Sequence, residues 1–287
     1  MSNTPPPRAT SPVSVMIFTL NEEIHLPHCL ASLGWCDDVI VIDSFSTDAT
    51  AQICQSSGVR FFQNRFEGFG TQRNWALDHT APRHPWVLVL DADERVPPDL
   101  AHELTTLAQA DAPGVGAYRV RRRFHMWGKW LRHSSLYPTW VVRFIRLGRV
   151  RYENRGHAET QQVEGEVRDL RCDLVDENLK GIDEWFDRQN RYSTKDAQFE
   201  HASRGGFDGS GVGWASLLSG DALERRAALK RVAARLPARG IAYFLYSYIW
   251  RRGFLDGREG FMFCRMRAMY QTQVALKVFD LEQRSTH

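Results

Sequence analysis

Apolar and polar positions alternate in blocks along the first 110 residues, and each block has the length of one structural element. "VSVMIF" (13–18) is an uncharged run of strand length bounded by polar residues. "DVIVID" (38–43), "VRFFQ" (59–63) and "WVLVL" (86–90) repeat the pattern. The segments between them are helical in character. "NEEIHLPHCLASL" (21–33) predicts a helix with acids in its first turn, where the dipole favours negative charge. "STDATAQICQSSG" (46–58) opens on residues suited to capping, Ser46 and Asp48, and closes on Gly58. "GTQRNWALDHT" (70–80) predicts a third helix, and "PPDLAHELTTLAQA" (97–110) a fourth with Pro in its first turn. Such alternation predicts an α/β fold, a mostly parallel sheet with helices on both faces.

Beyond residue 110 the pattern changes. "VGAYRVRRR", "TWVVRFIRL" and "EVRDLRCDLV" are strand-like and separated by turns, an antiparallel or mixed extension of the sheet. "GIDEWFDRQNRYSTKDAQFEHA" (181–202) is an amphipathic helix, and "SRGGFDGSGVGW" a Gly-rich break. The expected organisation is a disordered, Pro- and Ser-rich start (1–12) and an α/β domain over 13–203 whose halves meet near residue 110. A linker and helix (204–236) and a helical, aromatic and basic C-terminal region (237–287) follow.

Composition narrows the partners. The net charge is only +3, but acids outnumber bases over residues 1–110 and bases outnumber acids over 204–287. A basic end suits an anionic partner such as a membrane surface. The acidic first half argues against a nucleic-acid binder, despite "RVRRR". Five scattered cysteines without a CxxC pair exclude a disulfide framework or zinc knuckle and fit a reducing, cytoplasmic compartment. No signal peptide is expected. "IAYFLYSYIW" (241–250) could lie on a membrane, at about half the roughly 20 residues needed to cross one.

In parallel sheets ligands bind beyond the carboxyl ends of the strands, and polar clusters stand at three such ends: "TLNEE", "DSFSTD" and "DADE". Asp91 and Asp93, two acids one residue apart, can turn toward one hard divalent cation, which in turn holds substrate phosphates. Asp43 can accept from a nucleobase N–H or a ribose hydroxyl. Arg73 and Asn74 could face the phosphates or be ordinary surface residues. No GxGxxG follows the first strand, against a dehydrogenase-type dinucleotide fold. An Asp-nucleophile phosphatase would need its DxD in the first strand, and a nucleotidyltransferase a Gly-rich loop there.

"SVMIFTLNEE", "VIVIDSFSTDAT", "EGFGTQRNWAL" and "WVLVLDADERV" resemble the successive motifs of family 2 glycosyltransferases with the Rossmann-like GT-A fold. Within that family they are most similar to the bacterial lipopolysaccharide core β-glucosyltransferases. The resemblance implies that 13–110 is the nucleotide-sugar half and 111–203 the acceptor half. It implies an inverting transfer of a sugar from a nucleoside diphosphate, UDP foremost, to a lipid-linked saccharide; a polyprenyl-linked glycan or a peptide is the alternative acceptor. Thr19, Asn21 and Glu22 match the first nucleotide-contacting loop, Asp43 the base-reading residue, and Arg73 the donor-site lining. Asp91 and Asp93 match the metal-binding pair for Mg2+ or Mn2+, Asp93 being the direct ligand. "GHAET" resembles the branch's His-Glu motif with Ala158 inserted, making Glu159 the candidate base and His157 an acceptor or metal contact. The branch also implies peripheral attachment to the inner face of the cytoplasmic membrane.

Overall fold

The computed structural model describes residues 10–155, 158–205 and 238–286. Most of the start expected to be disordered and nearly all of the expected linker lie outside these residues. The chain divides into two compact units: Met1–Leu131 with Tyr137–Gly181, and Arg132–Leu136 with Ile182–His287.

In the first unit, β1 (Val13–Thr19), β2 (Asp38–Asp43), β3 (Arg60–Gln63) and β4 (Trp86–Asp91) are the four apolar runs. They pair in parallel in the order β3-β2-β1-β4. Later strands extend the sheet: β5 (Glu94–Arg95), β6 (Val115–Met126), β7 (Lys129–Trp130) and β8 (Thr139–Arg146). β9 (Val150–Arg155) and β10 (Ala158–Val163) form a separate hairpin, and β11 (Glu166–Asn178) rejoins the main sheet. That nine-stranded sheet runs β3-β2-β1-β4-β8-β6-β11-β5, with β7 paired to β6. β8, β5 and β7 run against the others, so the sheet is mixed but mostly parallel.

Both faces are buried, as the uninterrupted apolar strands require. On one face α1 (Leu26–Ala31), α2 (Thr50–Ser56) and α4 (Pro98–Ala110) bring Leu26, Cys54 and Leu104 onto Val15, Leu88 and Phe144. On the other, α3 (Phe69–His79) and the β9–β10 hairpin bring Ala76, Val150 and Tyr152 onto Met16, Val89 and Ile145. α1 departs from expectation: it starts at Leu26 and has no acid in its first turn. Pro27 lacks an N–H and fits only the first turn, so the helix cannot reach back to Glu22.

β5 follows β4 after two residues, yet it pairs with β11 at the far end of the strand order. The sheet therefore curls at this edge until β11 meets the segment leaving β4. The Arg143 position in β8 is the extra residue of a bulge opposite Tyr118 and Arg119, which bends the strand there.

The second unit contains α5 (Gly181–Gly205), α6 (Arg239–Leu245), a π-helical turn (Tyr246–Trp250), a 3-10 turn (Gly253–Asp256) and α7 (Gly257–Thr286). α5, expected with the acceptor half, packs here instead: Ala197 meets Tyr270, Val274 and Val278 of α7. Lys277 Nζ donates to the Asn190 carbonyl and to the Thr194 hydroxyl, at 2.7 and 2.8 Å. Asp256 is buried and accepts from the N–H groups of His133 (2.9 Å) and Ser134 (2.7 Å). "RRGFLDGREG" is thus a turn between helices, as its glycines predict. Among the described residues no helix is long and apolar enough to cross a membrane.

Candidate functional site

The carboxyl ends of β1, β2 and β4 lie side by side, because Thr19 pairs with Asp43 and Phe18 with Asp91. Thr19 and Asp43 are buried and turned on each other, the Thr19 hydroxyl donating to Asp43 Oδ1 at 3.0 Å. Asp43 also accepts from the Ser46 N–H at 2.9 Å, the Ser46 hydroxyl, and Gln63 Nε2 at 3.2 Å. Both its oxygens are spent on the chain, fixing the loop after β2. Ser46 in turn accepts the Asn21 N–H at 2.8 Å, and Asn21, at a left-handed φ of 56°, accepts the Thr47 N–H at 2.8 Å. Ser46, expected as a helix cap, ties two loops instead. Asp48 does reach the helix start, accepting the Thr50 N–H at 3.0 Å.

Glu22 binds Lys180 at 2.7 Å and His25 Nδ1 at 2.7 Å. His25 Nε2 accepts the Leu179 N–H at 2.9 Å, so Nδ1 must carry the imidazole proton and donate it to Glu22. These bonds lock the rim of β1 to the end of β11. The first two loops form a rigid shelf before any ligand arrives.

Asp91, the last residue of β4, is the centre of a larger network. Arg73 from α3 reaches its Oδ1 at 3.0 Å, and Arg143 from the β8 bulge reaches its Oδ2. Burial alone would push the Asp91 carboxyl up, but Arg143 and Arg73 outweigh it and hold it well below the usual carboxylate range. Glu94 is fully buried; it accepts the Asp91 N–H at 2.9 Å and Arg143 at 2.8 Å, with Arg122 at 3.7 Å. Burial raises its pKa, reinforced by the Asp91 charge against the pull of Arg143. Arg122 passes to Asp176 at 3.1 Å. Asp176 is pushed up to about 8, first by burial and then, against Arg122, by Asp93, Glu94 and Asp91. The Nε groups of Arg73 and Arg143 and the Tyr152 hydroxyl are buried without hydrogen-bond partners. These donors are free to take a further acceptor beside Asp91.

The β9–β10 hairpin brings Glu159 to the same point, where it pairs with Arg73. One guanidinium therefore joins Glu159 to Asp91. His157 lies outside the described residues. Asp93 is half-buried beside the network, its carbonyl accepting the Glu177 N–H at 3.0 Å. No three His, Cys, Asp or Glu side chains stand at metal-binding spacing among the described residues. A hard divalent cation needs only one or two carboxylates where phosphate oxygens complete its shell. Asp93 fits that part, since the oxygens of Asp91 already face two guanidiniums.

Sequence reasoning brought Asp91, Arg73 and Glu159 forward and missed Arg143, Arg122, Glu94 and Asp176. The readable signal was charge inside apolar strands: Arg143 in "WVVRFI" and Asp176 after "LV" have no solvent face to occupy.

Comparison with known proteins gives this geometry its context. The sequence pattern described as "Glycosyl transferase family 2" matches residues 14–168. The lipopolysaccharide core biosynthesis glycosyltransferase LpsC of Rhizobium meliloti (strain 1021) is 34% identical over 205 residues, covering 68% of this chain and 75% of that one. An undecaprenyl-phosphate 4-deoxy-4-formamido-L-arabinose transferase of Pseudomonas paraeruginosa (strain DSM 24068 / PA7) is 30% identical over 132 residues, 41% of this chain and 38% of its own. Among solved structures, S. aureus TarS 1-349 in complex with UDP-GlcNAc aligns over 88% of this chain and 90% of its own, at 14% identity and a TM-score of 0.41. With more than half of its length matched by the family pattern and a relative aligned over two thirds of it, the chain belongs to glycosyl transferase family 2.

Proposed function

We propose that this glycosyltransferase moves a sugar from a UDP-linked donor to a hydroxyl of a lipid-linked saccharide of the lipopolysaccharide core kind, with inversion at the sugar carbon. The observation that carries the reading is the convergence of Asp91, Arg73, Arg143 and Glu159 beyond the end of β4 in a family 2 chain. Arg73 and Arg143 are forks suited to phosphate oxygens, and both are oriented in advance by Asp91. A divalent cation on Asp93 would neutralise charge on the departing diphosphate. Glu159, steadied by Arg73, is the acceptor of the hydroxyl proton, and a single in-line displacement then inverts the centre. Asn21 and the Glu22–Lys180 pair hold the shelf on which the nucleotide lies.

The lipid-linked acceptor calls for a route to the membrane, and the second unit offers a surface of the right chemistry. Ile241, Ile249 and Trp250 are 66%, 57% and 80% exposed, and Arg252, Arg258 and Arg265 are exposed on the same two helices and their connecting turns. Such interleaving suits peripheral docking on the anionic inner face of the cytoplasmic membrane. The similarity to an undecaprenyl-phosphate sugar transferase favours a polyprenyl-linked glycan as the second acceptor class.

The test uses Glu159→Gln. With a panel of UDP-sugars and Mn2+, wild type is expected to bind one donor and transfer its sugar to core saccharide. The variant is expected to lose at least a hundredfold in turnover while its donor Kd stays within twofold. Near-normal turnover in the variant sinks Glu159 as the base; failure of any UDP-sugar to bind wild type sinks the donor assignment.

A further inference from the structure

β6 carries arginines at alternate positions, Arg119, Arg121 and Arg123, which point to one face of the sheet. The neighbouring strands identify that face. Ala117 pairs with Ile145 in the core under α3, and Arg119 with Val142 in the same core. Arg121 is paired with Trp140 two positions further along. On β4, Val87 and Val89 belong to that core, so Asp91 turns to the same side. β6 and β4 both run antiparallel to β8, so the C-terminal half of β6 lies at the edge where β4 ends. The ladder and the Arg73–Asp91–Glu159 cluster therefore share one face and one edge. Two strand spacings of about 4.8 Å separate β4 from β6, roughly the reach of a disaccharide.

The ladder is also shaped. The guanidiniums of Arg119 and Arg121 each stand 5.4 Å from the Trp140 ring, and that of Arg123 stands 5.8 Å from the Trp130 ring. Across the sheet Asp169 holds Arg119 at 2.7 Å, and Asp173 holds Arg121 at 2.7 Å and Arg123 at 3.5 Å. The Tyr137 hydroxyl donates to Asp173 at 2.8 Å, drawing off part of its charge. Three guanidiniums face two carboxylates, an excess of positive charge spread over indole rings. Stability does not account for it, because ion pairs with arginines 30–44% exposed contribute little. Recognition does. Guanidinium forks take carboxylate or phosphate in two parallel bonds, and the indole rings against which they stack hold the forks in place.

We infer that Arg119, Arg121 and Arg123 with Trp140 form an acceptor subsite for an acidic saccharide, a sugar bearing carboxylate or phosphate one or two rings from the reacting hydroxyl. This rests on the sugar-transfer reading of the neighbouring site. The full chain would be examined by saturation-transfer NMR with glucuronic acid, glucose 6-phosphate and neutral glucose, in saturating UDP and Mn2+. UDP binding is measured separately by calorimetry. An acidic sugar is expected to give at least five times the signal of glucose, and the stronger of the two acids names the anionic group. Arg121→Gln with Arg123→Gln is expected to remove that difference while UDP affinity is unchanged. Should the double variant lose its thermal transition, the single change Arg119→Gln is expected to halve the signal. Equal signals from acidic and neutral sugars, displacement of the acidic sugar by UDP, or variants that bind it like wild type would each overturn the subsite. Absence of UDP binding to wild type overturns the donor reading alone, and the acidic-sugar comparison can then be made without UDP.

Discussion

At the scale of single residues, buried charges do two separate jobs. Asp38 is fully buried beneath the amino end of the sheet, far along β2 from the site. It accepts from the Ser14 hydroxyl at 2.6 Å, the Arg83 N–H at 2.8 Å and Arg60 at 3.0 Å. Burial would raise its pKa, but these donors outweigh it and hold the carboxyl below its ordinary value. A depressed carboxyl contributes stability above about pH 4, its unfolded value, and loses it as pH falls through the folded one. Asp38→Asn should cost about 1.5–3 kcal/mol at pH 7, the range for hydrogen bonds to a charged group. Urea unfolding should show the gap to wild type closing toward pH 3; a gap unchanged with pH would refute the assignment. Asp38 was silent in the sequence, as was Glu94, because a strand-end acid reads as a solvated loop until its partners are known. Arg60 and Arg83 lie 22 and 45 positions away from it in sequence. The candidate site was half-legible for the same reason: Asp91 and Asp93 stand in a motif, whereas Arg143 and Asp176 show in the sequence only as charges inside apolar runs, and their partners emerge only when the sheet brings their strands together.

At the scale of elements, periodicity located the four long strands and all four helices of the first 110 residues, missed the two-residue β5, and failed at the element ends. Pro27 delayed α1, and the partner of α5 was unreadable because its apolar stripe complements a helix some 75 residues away in sequence. Glycine supplied the missing constraint in the second unit. A Cβ on Gly260 would stand 2.4 Å from the Gly253 carbonyl, and one on Gly253 2.9 Å from Cys264 Sγ. The turn and α7 touch backbone to backbone, leaving no room to yield. Gly260→Ala should therefore destabilise the second unit by about 1–3 kcal/mol, the usual cost of overpacking, lowering its thermal transition. A transition unmoved by the substitution would mean that the contact is looser than the structure has it.

At the scale of the whole molecule, the charge gradient along the chain becomes a division of labour between the two units. The first is built around carboxylates and the arginines that answer them; the second exposes aromatic and aliphatic side chains among arginines. Liposome sedimentation measures what that second surface is worth. Ile249→Ser with Trp250→Ser should reduce binding to vesicles rich in phosphatidylglycerol at least fivefold, with little binding to neutral vesicles by wild type. Binding that ignores both the substitutions and the lipid charge would remove the docking role. The curl at the carboxyl edge has a different kind of consequence. Because Asp91 ends β4 and Glu94 begins the strand that closes onto β11, the two residues between them span a fixed gap. An inserted residue would unhook Glu94 from the Asp91 N–H or slide β5 by one position, turning its side chains to the opposite face. Over evolutionary time the loops around this site can lengthen and drift, but the stretch from Asp91 to Glu94 must keep its length whatever sugar its descendants come to use.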